Sequence, residues 1–128
     1  MCIRDSNIPH GIACGITIPY VIDYNLPAST DALAMVAKLI GQKTRGLSER
    51  EVACKAVKAA KALLEDIELP LSLGEVDVPR DDLDEIARLI VEERQFPYQL
   101  PSINPRKLTM KNVTDLLKRM WNGEFEHR

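Results

Sequence analysis

The sequence predicts an all-α protein, a helical bundle of about five helices joined by short loops. Three observations carry that expectation. Apolar residues recur at spacings of three and four in the long segments, as at Leu33, Val36, Ala37 and Ile40. Residues that start and stop helices stand at the ends of those segments, most clearly at Ser48-Glu49-Arg50-Glu51 and at Gly41. No segment alternates convincingly with the period of a strand; Leu73 to Val78 does so weakly and reads as loop.

The first helix is expected from Pro9 to about Tyr24. Proline is tolerated in a first helical turn because its missing N–H has no partner there anyway. Pro19 lies deeper and predicts a kink or a split. The stretch Ser6 to Ile22 carries no charge over 17 residues, which predicts a helix buried nearly all round inside a bundle. A membrane span needs about 20 predominantly apolar residues, and this run is shorter and interrupted by proline and glycine. It also lacks the basic start and small-residue cleavage site of a signal peptide. Gly11, Ala13 and Gly15 make the helix thin, as close packing on another helix requires.

A second helix is expected from about Thr30 to Ile40, capped by Ser29 or Thr30 and stopped by Gly41. The third opens on the capping box at Ser48. Val52, Ala56, Ala60, Leu63 and Ile67 trace its apolar face at spacings of 4, 4, 3 and 4. Leu69-Pro70 ends it. Pro70 to Gly74 fits one short helical turn. The fourth helix runs from about Arg80 to Arg94, with Asp81, Asp82 and Asp84 in the first turn, where the helix dipole favours negative charge. Leu83, Ile86, Ala87, Ile90 and Val91 form its stripe. A loop with three prolines follows from Gln95 to Lys107. Thr109 then caps a final helix with Val113, Leu116, Leu117, Met120 and Trp121 facing inward, and Asn122-Gly123 stops it.

Composition bounds the function. The 128 residues are 45% hydrophobic, 28% charged and 5% aromatic, the length and make-up of one folded domain rather than a disordered chain. A net charge of -2 argues against nucleic-acid binding, which shows a basic excess or stripe. Three cysteines, an odd number, argue against a disulfide framework and for a reduced, cytoplasmic setting. Residues 1–6 read as a leader or an assembly scar. No glycine-rich dinucleotide or phosphate loop, no nucleophile elbow and no nucleophile–base pair appears.

Two histidines remain. His127, beside Glu124 and Glu126, reads as part of a solvated, frayed tail over residues 124–128. His10 lies between a proline and a glycine at the start of the least polar helix. It is either a buried histidine bonded to a backbone carbonyl or one ligand of a metal site whose other ligands this chain lacks. Cys14, four residues on, can share its face but reads as a small packing residue. Cys2 lies in the leader. The acidic cluster Asp81, Asp82, Asp84 and Glu85 lacks the glycine and bidentate glutamate of a calcium loop and reads as a dipole-matched helix start.

His10 to Asn25 reads H-G-I-A-C-G-I-T-I-P-Y-V-I-D-Y-N. It resembles the histidine-glycine signature of the iron-containing, group III alcohol dehydrogenases. His10, Gly11, Ala13, Pro19, Val21 and Asn25 match, with Ile18 for the usual leucine and Cys14 where asparagine or a small residue is common. Leu39-Ile40-Gly41, the connection through Leu69-Pro70, Leu73, Val76 and Val78, and Asn104-Pro105-Arg106 before Thr109 resemble later parts of the same family. Glu68 and Glu75 stand where that family usually has glycine. The resemblance covers roughly Asn7 to Gly123.

The resemblance implies an enzyme with an N-terminal nucleotide-binding α/β domain and a C-terminal helical domain, of which residues 7–123 are the latter. The divalent metal, iron or possibly zinc, is held in the cleft by one aspartate and three histidines, and His10 matches the last of these. The other ligands and the NAD(P) contacts lie upstream. The implied reaction is hydride transfer between a small alcohol or aldehyde and NAD(P), in a homo-oligomer. These residues alone are then expected to be inactive, and the uncharged first helix is the face expected to lie open. Asn104-Pro105-Arg106 is expected to set the angle of the last helix. The alternative is a free-standing helical interaction domain with His10 in its core.

Overall fold

The computed structural model describes residues 8–93 and 104–127, with Glu93 placed by its backbone alone. The leader and most of the proline-containing loop lie outside these residues. The described residues form helices and turns with no strand. The α-helices are α1 (His10–Asn25), α2 (Thr30–Leu39), α3 (Glu49–Asp66), α4 (Leu83–Arg88) and α5 (Met110–Asn122). A 3-10 turn, Arg80–Asp82, leads into α4, and a π-helical turn, Leu89–Glu93, extends it. No helix among the described residues is long and apolar enough to cross a membrane.

The helix ends follow short-range chemistry. At the start of α3 the Glu51 backbone N–H donates to Ser48 Oγ, while Glu51 Oε2 accepts from the Ser48 backbone N–H at 2.8 Å and from its hydroxyl at 2.7 Å. These bonds hold the Glu51 carboxyl below the usual carboxylate range. Thr109 accepts from the Asn112 backbone N–H at the start of α5. Gly41 and Gly123 take the left-handed conformation (φ +81° and +76°) that ends α2 and α5. At Gly41 the Gln42 N–H reaches the Ala37 carbonyl and the Gly41 N–H reaches that of Lys38.

Helix α3 ends in the same motif, but with Glu68 at φ 58°. The Leu69 N–H bonds the Leu64 carbonyl, and the Glu68 N–H that of Glu65. A side chain is strained in this conformation and glycine is not. Glu68→Gly is therefore expected to stabilise the fold by about 0.5–1 kcal/mol, read as a higher urea midpoint. An unchanged or lower midpoint would refute it.

Two apolar clusters organise the packing. One joins α1, α4, α5 and the connection after α3 through Ile16, Tyr20, Leu73, Leu83, Leu117 and Met120. The other joins α2 and α3 through Ala34, Ala37, Val52, Ala53, Ala56 and Val57, with Leu26 below. Alanines on both helices let α2 and α3 approach closely. The larger side chains of the expected stripes are displaced outward: Val36 and Ile40 on α2 are exposed, and Leu63 and Ile67 on α3 are 59% and 55% exposed. Both stripes are thus rotated from the expected ones, because the alanine-bearing arc makes the closer contact.

Two expectations for α1 are corrected. Of the kink or split expected at Pro19, the split does not occur, since the helix runs unbroken through it. It is also not buried all round. Ala13, Ile16, Tyr20 and Tyr24 are buried, whereas His10, Cys14 and Ile18 form an open strip at four-residue spacing. α3 and α5 pack on α1 and leave that side free. Gly15 is closely packed, since a Cβ there would lie 3.4 Å from Leu69 Cδ1, but Gly11 faces open space. The short turn expected at Pro70 to Gly74 forms later, over Gly74–Val76. There the Leu73 N–H donates to the Met120 carbonyl, and Trp121 Nε1 donates to the carbonyl of Val78.

Candidate functional site

His10 is the first residue of α1, and its ring is exposed. It is not the buried core histidine of the alternative reading. Pro9 precedes it in extended backbone (φ -54°, ψ 137°), and its carbonyl accepts from the N–H groups of Ile12 and Ala13. One helical turn on, Cys14 presents its thiol on the same strip, with Sγ 3.4 Å from His10 Nε2. The open Gly11 adds no side chain beside the imidazole.

Below this pair lies a cavity of about 670 Å³ between α1, the π-helical turn and α5. Cys14, Thr17, Ile18 and Val21 form the α1 wall, with Ile90, Leu108 and Leu116 opposite. The Thr17 hydroxyl donates back to the Ala13 carbonyl at 2.7 Å, so its methyl group is left for the wall. Among the described residues, none that lines this cavity is charged.

No group of three or more His, Cys, Asp or Glu among the described residues is placed to hold a metal ion. His10 and Cys14 together offer two of the three or four protein ligands that a metal site needs. The acidic residues Asp84 and Glu85 lie in the first turn of α4, where the helix dipole accounts for them.

The far end of α1 holds a polar cluster that sequence reasoning missed. Asp23 is 3% exposed. Its carboxylate accepts from the Glu126 N–H at 2.5 Å and the His127 N–H at 3.1 Å, and it lies 3.1 Å from His127 Nδ1. The expectation that His127 is a solvated, frayed end is therefore corrected: its side chain is 11% exposed. Docking of the tail also stacks Phe125 on Tyr20, with centroids 4.5 Å apart and 5° between planes.

Asn104 and Arg106 complete this cluster. Asn25 and Asn104 exchange two 3.0 Å side-chain bonds. Arg106 lies over the Tyr24 ring at 4.3 Å and donates to the Tyr24 carbonyl at 2.9 Å. Arg106 and Arg119 both donate to Glu126 Oε2, at 3.0 and 2.9 Å. Burial pushes the Glu126 carboxyl up, but the two arginines outweigh it and hold it below the usual range. The signal in the sequence was Asp23 itself, the only Asp, Glu, Lys or Arg between Ser6 and Thr30. A lone carboxylate in an apolar run is buried only with donors aimed at it.

The chain matches the family model described as "Fe-containing alcohol dehydrogenase family, C-terminal" over residues 5–121. Lactaldehyde reductase of Escherichia coli (strain K12) is 30% identical over 115 residues, covering 90% of this chain and 29% of the relative. The crystal structure of a 1,3-propanediol oxidoreductase superposes with a TM-score of 0.83 at 28% identity, covering 93% of this chain and 30% of that one. Alcohol dehydrogenase from Oenococcus oeni superposes with a TM-score of 0.80 at 30% identity, over 93% of this chain and 30% of that one. The chain thus spans less than a third of the length of each.

Proposed function

Since the chain belongs to the Fe-containing alcohol dehydrogenase family as its C-terminal helical part, we propose that it is the metal-holding portion of an NAD(P)-dependent alcohol dehydrogenase, with His10 as one ligand. The observation that carries this is the position of His10: exposed, at the head of α1, above a cavity whose described lining carries no charge. A core histidine has no reason to face outward there. The relatives' names, lactaldehyde reductase and 1,3-propanediol oxidoreductase, support a small alcohol or aldehyde as substrate.

On this reading residues 7–123 are the helical domain, a nucleotide-binding domain is its partner, and the longer protein is a cytoplasmic homo-oligomer. A divalent metal, iron or zinc, supplies Lewis acidity to the substrate oxygen when bound, while the nicotinamide carries the hydride. This chain's part is to fix one corner of the metal site. The His10 imidazole offers Nε2 from a helix start whose direction is set by the packing of Ile16 and Tyr20 below. The apolar wall of Cys14, Ile18 and Val21 keeps water away from that side of the cleft. The remaining ligands and the dinucleotide contacts come from the partner domain, so the 128 residues alone turn over no alcohol.

The test is His10→Ala in the longer protein. Metal content and NAD(P)-linked alcohol oxidation are expected to fall by at least about 100-fold, with helical content unchanged because the residue is exposed. Metal analysis and nicotinamide absorbance read the two losses. Full metal occupancy in the variant would overturn the ligand assignment, and turnover by the 128-residue chain would overturn its inactivity.

A further inference from the structure

We propose that Cys14 is a second metal donor, so that His10 Nε2 and Cys14 Sγ form a two-donor chelating edge for a thiophilic divalent cation of the zinc class. The proposal rests on His10 being a ligand, and it adds a residue and a metal preference to that reading.

The carrying observation is a distance. A tetrahedral cation with a metal–nitrogen bond of about 2.0–2.1 Å and a metal–sulfur bond of about 2.3 Å holds its donors about 3.5 Å apart. His10 Nε2 and Cys14 Sγ stand 3.4 Å apart, so a cation enters between them with little movement of either side chain. The i, i+4 spacing on α1 holds both on one open face. Cys14 is a free thiol and exposed. Gly11 leaves the approach clear, since a Cβ there would meet nothing within 4 Å.

Chemistry then sets the preference. The thiol and the imidazole are in hydrogen-bond contact at 3.4 Å. On binding, the S–H bond breaks, its proton leaves to solvent, and metal–sulfur and metal–nitrogen bonds form, with no change of oxidation state. A thiolate favours zinc-class cations over those that prefer oxygen ligands. Two donors make an open edge rather than a closed site, and water or further protein ligands complete the shell.

The experiment uses cadmium ion, a thiophilic stand-in for zinc, added to the 128-residue chain carrying Cys2→Ser and Cys54→Ser, so that Cys14 is the only thiol. A sulfur-to-cadmium charge-transfer band in the ultraviolet is expected to grow to one equivalent. Cys14→Ser is expected to abolish the band, and Cys14→Ser and His10→Ala are each expected to weaken cadmium binding by at least about tenfold. Equilibrium dialysis measures binding independently of the band, and circular dichroism verifies the helices. If His10→Ala weakens binding while Cys14→Ser does not, the second donor is wrong and the His10 assignment stands. If Cys14→Ser abolishes binding while His10→Ala leaves it unchanged, Cys14 binds alone and the two-donor edge is overturned.

Discussion

Tyr20→Ala is expected to destabilise the protein by about 3–5 kcal/mol, the range for deleting a large buried aromatic ring. Tyr20 is 2% exposed. It packs with Ile16, Leu73 and Met120 in the larger cluster, and its ring carries Phe125 of the tail. Its hydroxyl donates to the Leu71 carbonyl, bonding α1 to the connection after α3. Alanine leaves a cavity, an unpaired carbonyl and an unsupported Phe125. Tyr20→Phe keeps the ring and loses only the hydroxyl, so its cost is expected to be about 1–2 kcal/mol.

The same residue predicts an alkaline weakness. Burial, and then the Glu75 charge, push the Tyr20 hydroxyl from its ordinary value of 10.0 up to about 12. A raised value means that the folded state holds the proton more tightly than the unfolded chain. That stability is fully present below the unfolded value and is lost as pH rises from about 10 through about 12. Urea titrations across that window are expected to show a decline in the parent that Tyr20→Phe does not share. A cost below 1 kcal/mol for Tyr20→Ala, or equal declines in parent and Tyr20→Phe, would refute the account.

Asp23→Ala is expected to cost about 2–3 kcal/mol, since it removes a charged acceptor from two backbone N–H groups and leaves them unpaired. The loss falls first on the tail. Glu126 and His127 amides are expected to exchange with solvent far faster, and Phe125 to leave Tyr20, while α3 keeps its protection. Hydrogen exchange read residue by residue tests this, and an unchanged tail in Asp23→Ala would sink it. Acid is expected to act in the same direction through Glu126. Its carboxyl is held low in the folded state, so its contribution is present above the usual carboxylate range and is lost as pH falls through that lowered value.

Much of the fold is legible in the residues. The capping box at Ser48, the cap at Thr109 and the stops at Gly41 and Gly123 stand where the sequence places them, since each is decided by bonds within about five residues. The helical class and the histidine-glycine signature at His10 are legible in the same local way. The apolar stripes were less so. Val36, Ile40, Leu63 and Ile67 have the right spacing, yet Ala34, Ala37, Ala53 and Ala56 make the contact between α2 and α3. Spacing shows that a helix has an apolar face; it does not show which arc of that face a neighbour covers.

The site divides along the same line. The motif singles out His10 as a candidate, but its outward direction and its contact with Cys14 follow from where α3 and α5 leave α1 uncovered. The docked tail was not legible at all, because Asp23 and the backbone of Glu126 and His127 are 103 and 104 residues apart in the chain. Sequence alone determined the helices and their ends, because steric limits and capping bonds act over a few residues. Only the tertiary structure decided which faces are open and which lone charge finds its donors, because burial and pairing depend on distant segments meeting.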